Sequence, residues 1–355
     1  DLHDMQILDN GHRLHLVHDP QIVDMSVLVA GGHPSAVVIG CIVQELDAAD
    51  NVLFEWRSWG NIDILDTLED VTAEYINYMN CNSIERDFDG HLILSSRNTD
   101  EVTKINRDTG EIIWRMGGKQ NQFSFPNDDG FSLQHDARRL PNGLMTIYDN
   151  GVSHSPPHSR GIELQVNELG KTVQLIREFR STPDTLAYAL GNMQRLPGGN
   201  TVIGWGRSSA PSYTEFDSSG GQVIEFNNVQ TTVGSYRTFR FPWQGYPTWP
   251  PALIAYAEGQ EVTLYFSWNG STETSDYMIY AKPEDGGDWH VATVAKDGFE
   301  NSYVLHVPAD GIWEFRVIAL DQNAQTAATS NNVTLLIGGK SAYLPMISTA
   351  AEPQG

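Results

Sequence analysis

The sequence predicts an all-β chain, a β-propeller followed by a small β-sandwich. Three observations carry that reading. Short runs of β-branched and aromatic residues alternate with Gly, Asn and Asp turns about every 8–12 residues. No segment carries the long 3.6-residue apolar period of an amphipathic helix. A strand–turn–strand frame also recurs along the first two thirds of the chain, as repeat architectures require.

The frame opens four times: "HDMQILDNGHRLHLVHD" from His3, "NSIERDFDGHLILSSRN" from Asn82, "HDARRLPNGLMTIYDNG" from His135 and "GNMQRLPGGNTVIGWG" from Gly191. Each has a polar head, a strand, a glycine turn and a second strand. Counted from the heads, the turn glycines Gly11, Gly90, Gly143 and Gly199 stand at one common offset. A further strand pair closes each unit, ending in "NVLFEWRSW", "EIIWRMGG", "TVQLIREF" and "QVIEF". Four antiparallel strands repeated in this way make a propeller blade, whose first strand lines the central channel. The heads would then converge on one mouth. A closed propeller normally has more than four blades, so blades preceding Asp1 are expected, or an irregular count. "SYRTFRFPW" reads as a further strand completing a blade. "GYPTWPPALIAY", Gly245 to Tyr256, reads as a Pro-rich linker. The period-two segments after it predict a fibronectin-like sandwich. The expected domains are a propeller over 1–250, a sandwich over 251–337 and a tail over 338–355.

Composition narrows the function. The formal net charge is −23 with no Lys/Arg run, which argues against nucleic acid, whose phosphates demand a basic face. No apolar run approaches the roughly 20 residues of a transmembrane helix, and no signal peptide is visible. A chain opening on Asp1 reads as processed, trimmed or a fragment. Cys41 and Cys81 are expected to be two buried thiols rather than a disulfide framework. Asn269 and Asn332 head glycosylation sequons.

The heads supply the chemistry. They hold His3 with Asp4, Asn82 with Ser83 (and Asn80 just before), His135 with Asp136, and Gly191 with Asn192. Arg97 ends the second strand of its unit, and Arg160 begins a strand pair in the His135 unit. Asp, Asn and Ser at strand starts often only cap turns. Two histidines at equivalent repeat positions, each followed by Asp, favour a shared site. Three uses fit it: a histidine nucleophile flanked by His, Asn and Arg donors for transfer of an anionic group; a calcium ion held by Asp and Asn oxygens, as in propeller lactonases; or ligand binding without reaction. "MGGKQNQF" is read as a turn, since it lacks phosphate-loop spacing and a following helix. "HSPPHS", with His154 and His158, is read as an exposed loop. No zinc spacing and no G-x-S-x-G motif occur.

Across about residues 1–250 the sequence resembles the arylsulfotransferase family, whose members use no nucleotide sulfate donor. The resemblance rests on "DLHDMQIL", "NSIERDFDGHLILSSRNTDEVTKINRDTGEIIWRMGGK", "QHDARRLPNG", "YDNG", "SRG", "GNMQRLPGGNTVIGWG" and "FRFPW", in that order. It implies a six-bladed propeller, incomplete here at the N-terminal side, and transfer of a sulfuryl group from an aryl sulfate to a phenol through a sulfohistidine. It implies no metal and no cofactor. His135 matches the nucleophile; His3, Asn82 and Arg97 match groups that hold sulfate oxygens, with His3 also the best placed base for the phenol. Asn80, Asn192 and Arg160 complete the expected substrate contacts. The family usually carries His where Asn80 stands, and asparagine donates a hydrogen bond but carries no charge. The resemblance also implies a secreted, periplasmic or cell-surface protein.

Overall fold

A computed structural model describes residues 3–207, 211–227 and 234–338; the tail expected over 338–355 lies outside them beyond Gly338. The chain is all-β and divides into two compact units, residues 1–240 and 241–355.

The first unit is a succession of up-and-down antiparallel sheets. The first holds β1 (Met5–Ile7), β2 (Arg13–Val23), β3 (Ala36–Leu46) and β4 (Val52–Arg57), with β5 (Tyr75–Asn77) added parallel to β3. The second holds β6 (Cys81–Arg86), β7 (Leu92–Ser96), β8 (Glu101–Ile105) and β9 (Ile112–Gly117). The third holds β10 (His135–Arg139), β11 (Met145–Asp149), β12 (Arg160–Asn167) and β13 (Thr172–Phe179). The fourth holds β14 (Asn192–Arg195), β15 (Thr201–Gly204), β16 (Tyr213–Phe216) and β17 (Gln222–Phe226). Each repeat frame read from the sequence is therefore one sheet. The β6–β7 and β10–β11 hairpins turn at Gly90 and Gly143, at φ of 86° and 84°, values that glycine adopts without strain.

Packing follows from the period-two alternation of strands buried on both faces. In β7, Leu92 and Leu94 enter a core shared with Leu14, Leu16, Val38 and Trp56 of the first sheet. Ile93, pointing the other way, joins Trp114, Met145, Ile147 and Leu164 between the second and third sheets. Tyr148 and Phe179 of the third sheet meet Met193, Ile203 and Trp205 of the fourth. Successive sheets thus stack face to face.

The first strands are also tied edge to edge by side chains that accept from the next sheet's backbone. Ile84 N–H donates to Asp4 and Arg86 N–H to Gln6. Ala137 N–H donates to Ser83 and Arg139 N–H to Glu85. Met193 N–H donates to Asp136, then Thr238 N–H to Asn192 and Arg240 N–H to Gln194. These ties satisfy backbone donors that no ladder reaches.

The described residues hold the four repeated sheets that the four frames predict, and no closed six-bladed ring is seen among them. Two expectations change. Residues 235–243, "SYRTFRFPW", form no strand; Thr238 and Arg240 are held against β14 by Asn192 and Gln194 instead of by a ladder. The linker reading of Gly245 to Tyr256 stops at Pro251: Ala252–Glu258 is a strand, because Leu253 and Ala255 turn inward while Ile254 and Tyr256 stay exposed.

The second unit packs two antiparallel sheets over one core. One holds β18 (Ala252–Glu258), β19 (Glu261–Ser267) and β22 (Asn301–His306). The other holds β20 (Thr274–Pro283), β21 (Trp289–Ala295), β23 (Gly311–Asp321), β24 (Thr326–Thr329) and β25 (Val333–Ile337). Leu264 and Phe266 from the first sheet meet Tyr277, Ile279, Phe315 and Val317 from the second. Cys41 and Cys81 are buried free thiols in the first unit.

Candidate active site

His135 opens β10, directly before a bulge that shifts the register against β11 between His135 and Arg138. Leu133 and Asp136 on either side have positive φ, 51° and 56°. Non-glycine residues rarely adopt that conformation, and it tends to accumulate at working sites. The imidazole is 2% exposed. Its Nδ1 lies 2.7 Å from Asn150 Oδ1 and 3.1 Å from Leu133 O. Asn150 Nδ2 donates to Ala187 O and Leu190 O, which fixes the amide so that its oxygen faces the histidine. Two acceptors at Nδ1 place the ring proton there. Nε2 keeps its lone pair, which accepts from Leu190 N–H at 3.2 Å. Burial, joined by the charges of Arg97 and Arg237, lowers the His135 pKa to about 3 and outweighs the Asn150 bond. The group is a neutral imidazole with Nε2 as its basic edge.

Two guanidinium groups act on this ring. Arg97 donates to Asn98 Oδ1 at 2.7 Å and to Tyr188 O at 3.0 Å, and Glu69 lies 4.0 Å away. Arg237 donates to Asp4 Oδ1 at 2.7 Å and to Asn82 O at 2.6 Å, with Asp136 at 3.6 Å. Arg138 pairs with the same two carboxylates, at 2.8 and 2.9 Å. Burial works against the Asp4 carboxylate, but Arg138 and Arg237 prevail and hold its pKa below the usual range. The Tyr188–Gly191 segment binds both Arg97 and His135, and its Gly191 has φ of 103° with a hypothetical Cβ 2.2 Å from the Tyr148 ring. Only glycine fits there.

The predicted residues divide. The charge of Arg97 acts on His135, and Arg237 acts on both His135 and His3. His3 stacks edge-on with Tyr236 at 5.7 Å and lies 5.9 Å from His18. Burial first, then Arg237, lowers the His3 pKa. Asn80 sits beside Arg97 at φ 47°, and its carbonyl accepts from Arg97 N–H. Asn82 and Asn192 hold sheets instead. Asn82 binds Gln134 O at 2.8 Å and Asp136 N–H at 3.3 Å. Asn192 pairs with both the N–H and the carbonyl of Thr238. Arg160 is built into the third sheet, its five N–H groups spent on Asp149, Asp128, Glu178 and Gly130 O. None is left for a substrate. "HSPPHS" is a loop with Ser155, Pro156 and Pro157 exposed, as expected, while His154 is half-buried against Asp149 at 2.7 Å. The acidic heads face arginines; among the described residues no cluster of three metal-ligating side chains occurs.

Sequence reasoning missed Asn150, Leu190, Tyr236 and Arg237. Asn150 lay within the quoted "YDNG", and Tyr236 and Arg237 within "SYRTFRFPW". None occupies a repeat head, so the repeat alignment does not reach them.

A family model described as Arylsulfotransferase (ASST) matches residues 1–229. No curated protein matches the chain. Among solved structures, a protein of unknown function from Bacteroides caccae is similar at 13% identity and TM-score 0.37, covering 63% of this chain and 66% of that one. Virginiamycin B lyase from Staphylococcus aureus is similar at 10% identity and TM-score 0.33, covering 92% and 90%. The chain thus spans just under two thirds of the Bacteroides protein, and likenesses this distant carry no argument about function.

Proposed function

The chain belongs to the arylsulfotransferase family, and on that premise we propose that it moves a sulfuryl group from an aryl sulfate to a phenol through His135. The observation that carries this reading is the fixed tautomer: a buried neutral imidazole with its proton locked on Nδ1 and its lone pair on Nε2. A nucleophile needs a free lone pair and no positive charge. Nε2 attacks sulfur, the bond from sulfur to the aryl oxygen breaks, and the aryl oxide leaves with the bonding pair and takes a proton from water. Developing positive charge on the ring is eased by Asn150 Oδ1 and Leu133 O at Nδ1. Arg97 neutralises the sulfuryl oxygens, an electrostatic role worth most in a site shielded from water. The acceptor phenol then attacks the same sulfur, loses its proton, and returns imidazole. His3, kept neutral by burial, is the available base for that proton.

Leu190 N–H occupies the Nε2 lone pair at 3.2 Å. Sulfur reaches that edge when the Tyr188–Gly191 segment shifts, and the released amide can then donate to a sulfuryl oxygen. The repeated sheets and their tied first strands support a propeller architecture, with the heads at one mouth of the channel. Activity outside the cytoplasm fits an acidic chain of this family.

Incubation with an aryl sulfate and no acceptor, followed by mass spectrometry of peptides, tests the reading. One sulfuryl group on the His135 peptide, discharged by phenol and absent in His135→Ala, is expected, with turnover lower by at least about 10³-fold in that variant. A folded wild-type protein that gains no adduct and releases no phenol overturns it.

A further inference from the structure

Among the described residues of 3–240, five buried side-chain polar atoms have no hydrogen-bond partner: Trp56 Nε1, Arg97 Nε, Gln134 Oε1, Tyr236 OH and Arg237 Nε. Four of the five belong to residues around His135 or adjacent to it in sequence. Unpaired buried donors are rare in native structures and call for something to complete them. Three of these four, Arg97 Nε–H, Arg237 Nε–H and Tyr236 O–H, are donors, and two sit on cations. That is the complement of an oxyanion. Arg97 was anticipated from the sequence. Tyr236 and Arg237 lie beyond residue 229, outside the family match.

We propose that Tyr236 and Arg237 form the second half of the anion site, donating through O–H and Nε–H to the oxygens of a sulfate ester whose sulfur faces His135. This rests on the transfer reading for the identity of the ester, not for the anion site itself. The geometry supplies the rest. Arg237 is 9% exposed and is anchored through both Nη atoms to Asp4 and Asn82 O, so its fork is held rigid while Nε stays unspent. Tyr236 is held by its carbonyl, which accepts from Gly191 N–H at 3.0 Å, beside the Leu190 amide that touches His135. Its ring packs edge-on against His3. Tyr236 thus touches His3, the charges of Arg237 and Arg97 both act on His135, and Arg97 is tied to Tyr188 O. Burial also raises the phenol pKa of Tyr236 to about 12, so the group stays a donor at working pH. Once the Tyr188–Gly191 segment shifts, an anchored guanidinium with one spare donor and a spare phenol hydroxyl can bind ester oxygens.

The test is calorimetric titration of the whole chain with inorganic sulfate alone, in wild type, Arg97→Gln, Tyr236→Phe and Arg237→Lys. Wild type should bind. Tyr236→Phe removes a hydroxyl that makes no hydrogen bond in the protein, so a purely structural role predicts unchanged sulfate affinity. The proposal expects an affinity loss of about 3–10-fold with no loss in Tm. Arg237→Lys keeps the charge near Asp4 but has no Nε–H, and should weaken sulfate by about 10–100-fold. Sulfate that fails to bind wild type, or binds Tyr236→Phe and a folded Arg237→Lys as tightly as wild type, overturns the proposal. Should Arg237→Lys fold poorly, Tyr236→Phe decides alone. The two readings separate cleanly. Sulfate binding that depends on Tyr236 without any His135 adduct sinks the transfer reading and leaves the anion site. An adduct that forms at the wild-type rate in both variants sinks the anion site and leaves transfer.

Discussion

At the scale of single residues, His135 shows how burial sets chemistry. Its pKa in the folded chain lies near 3, below the ordinary histidine value. The unfolded chain therefore binds the extra proton more readily than the folded one between about pH 3 and 6.5. The sign follows: this group contributes stability above about pH 6.5, and that contribution is lost as pH falls towards 3, at about 1.4 kcal/mol per pH unit. Thermal melts between pH 7 and 4 should fall more steeply for wild type than for His135→Gln, which has nothing to protonate. Parallel slopes in the two proteins would refute the assignment. Asn150→Ala should act through His135 by freeing the tautomer. We expect adduct formation to slow about 10–100-fold, while the affinity for inorganic sulfate stays at the wild-type value. An equal loss of both would mean that Asn150 shapes the anion site instead.

At the scale of elements, the first strands of neighbouring sheets meet through side chains, not ladders. Ser83 Oγ accepts from the buried Ala137 N–H at 3.0 Å. Ser83→Ala leaves that donor unpaired, so urea unfolding should show a loss of about 1–3 kcal/mol. Glu85 makes the equivalent tie to Arg139 N–H. Burial raises its pKa to about 7, with Arg138 and the Arg139 N–H opposing. Its sign is opposite to that of His135. The folded state holds this proton more tightly, so the contribution is present below the ordinary carboxyl value and is lost as pH rises through about 7. Glu85→Gln should gain stability relative to wild type between pH 5 and 8, by about 1 kcal/mol, as read from denaturant midpoints. These ties explain why Asn82 and Asn192 looked functional in sequence. A polar residue at a strand head is the same letter whether it grips a neighbouring backbone or a substrate, and only the position of the next sheet decides which.

At the scale of the whole molecule, each unit closes its own core. Phe315 is fully buried among Phe266, Tyr277 and Val317. Phe315→Ala should cost about 3–5 kcal/mol through lost burial and a cavity. Calorimetry of the full chain should then show a lower transition for the second unit, with the sulfate-stabilised transition of residues 3–240 unmoved. A shift of both transitions would show that the two cores unfold as one.

The sequence by itself determined the strands, the glycine turns, the four repeated sheets and the alternation that feeds two cores, because these rest on local conformational preference and on a period of two. It also offered His135 and His3 as candidates, since residue type at an equivalent repeat position survives in a linear reading, and Arg97 as the end of its unit's second strand. Only the tertiary structure decided which polar groups are already spent. Arg160 loses every donor to Asp149, Asp128, Glu178 and Gly130, and Asn192 is held by Thr238, whereas Arg237 and Tyr236, outside every repeat head, keep one each. Hydrogen-bond saturation is a property of pairs brought together by folding, and no single position in the sequence carries it.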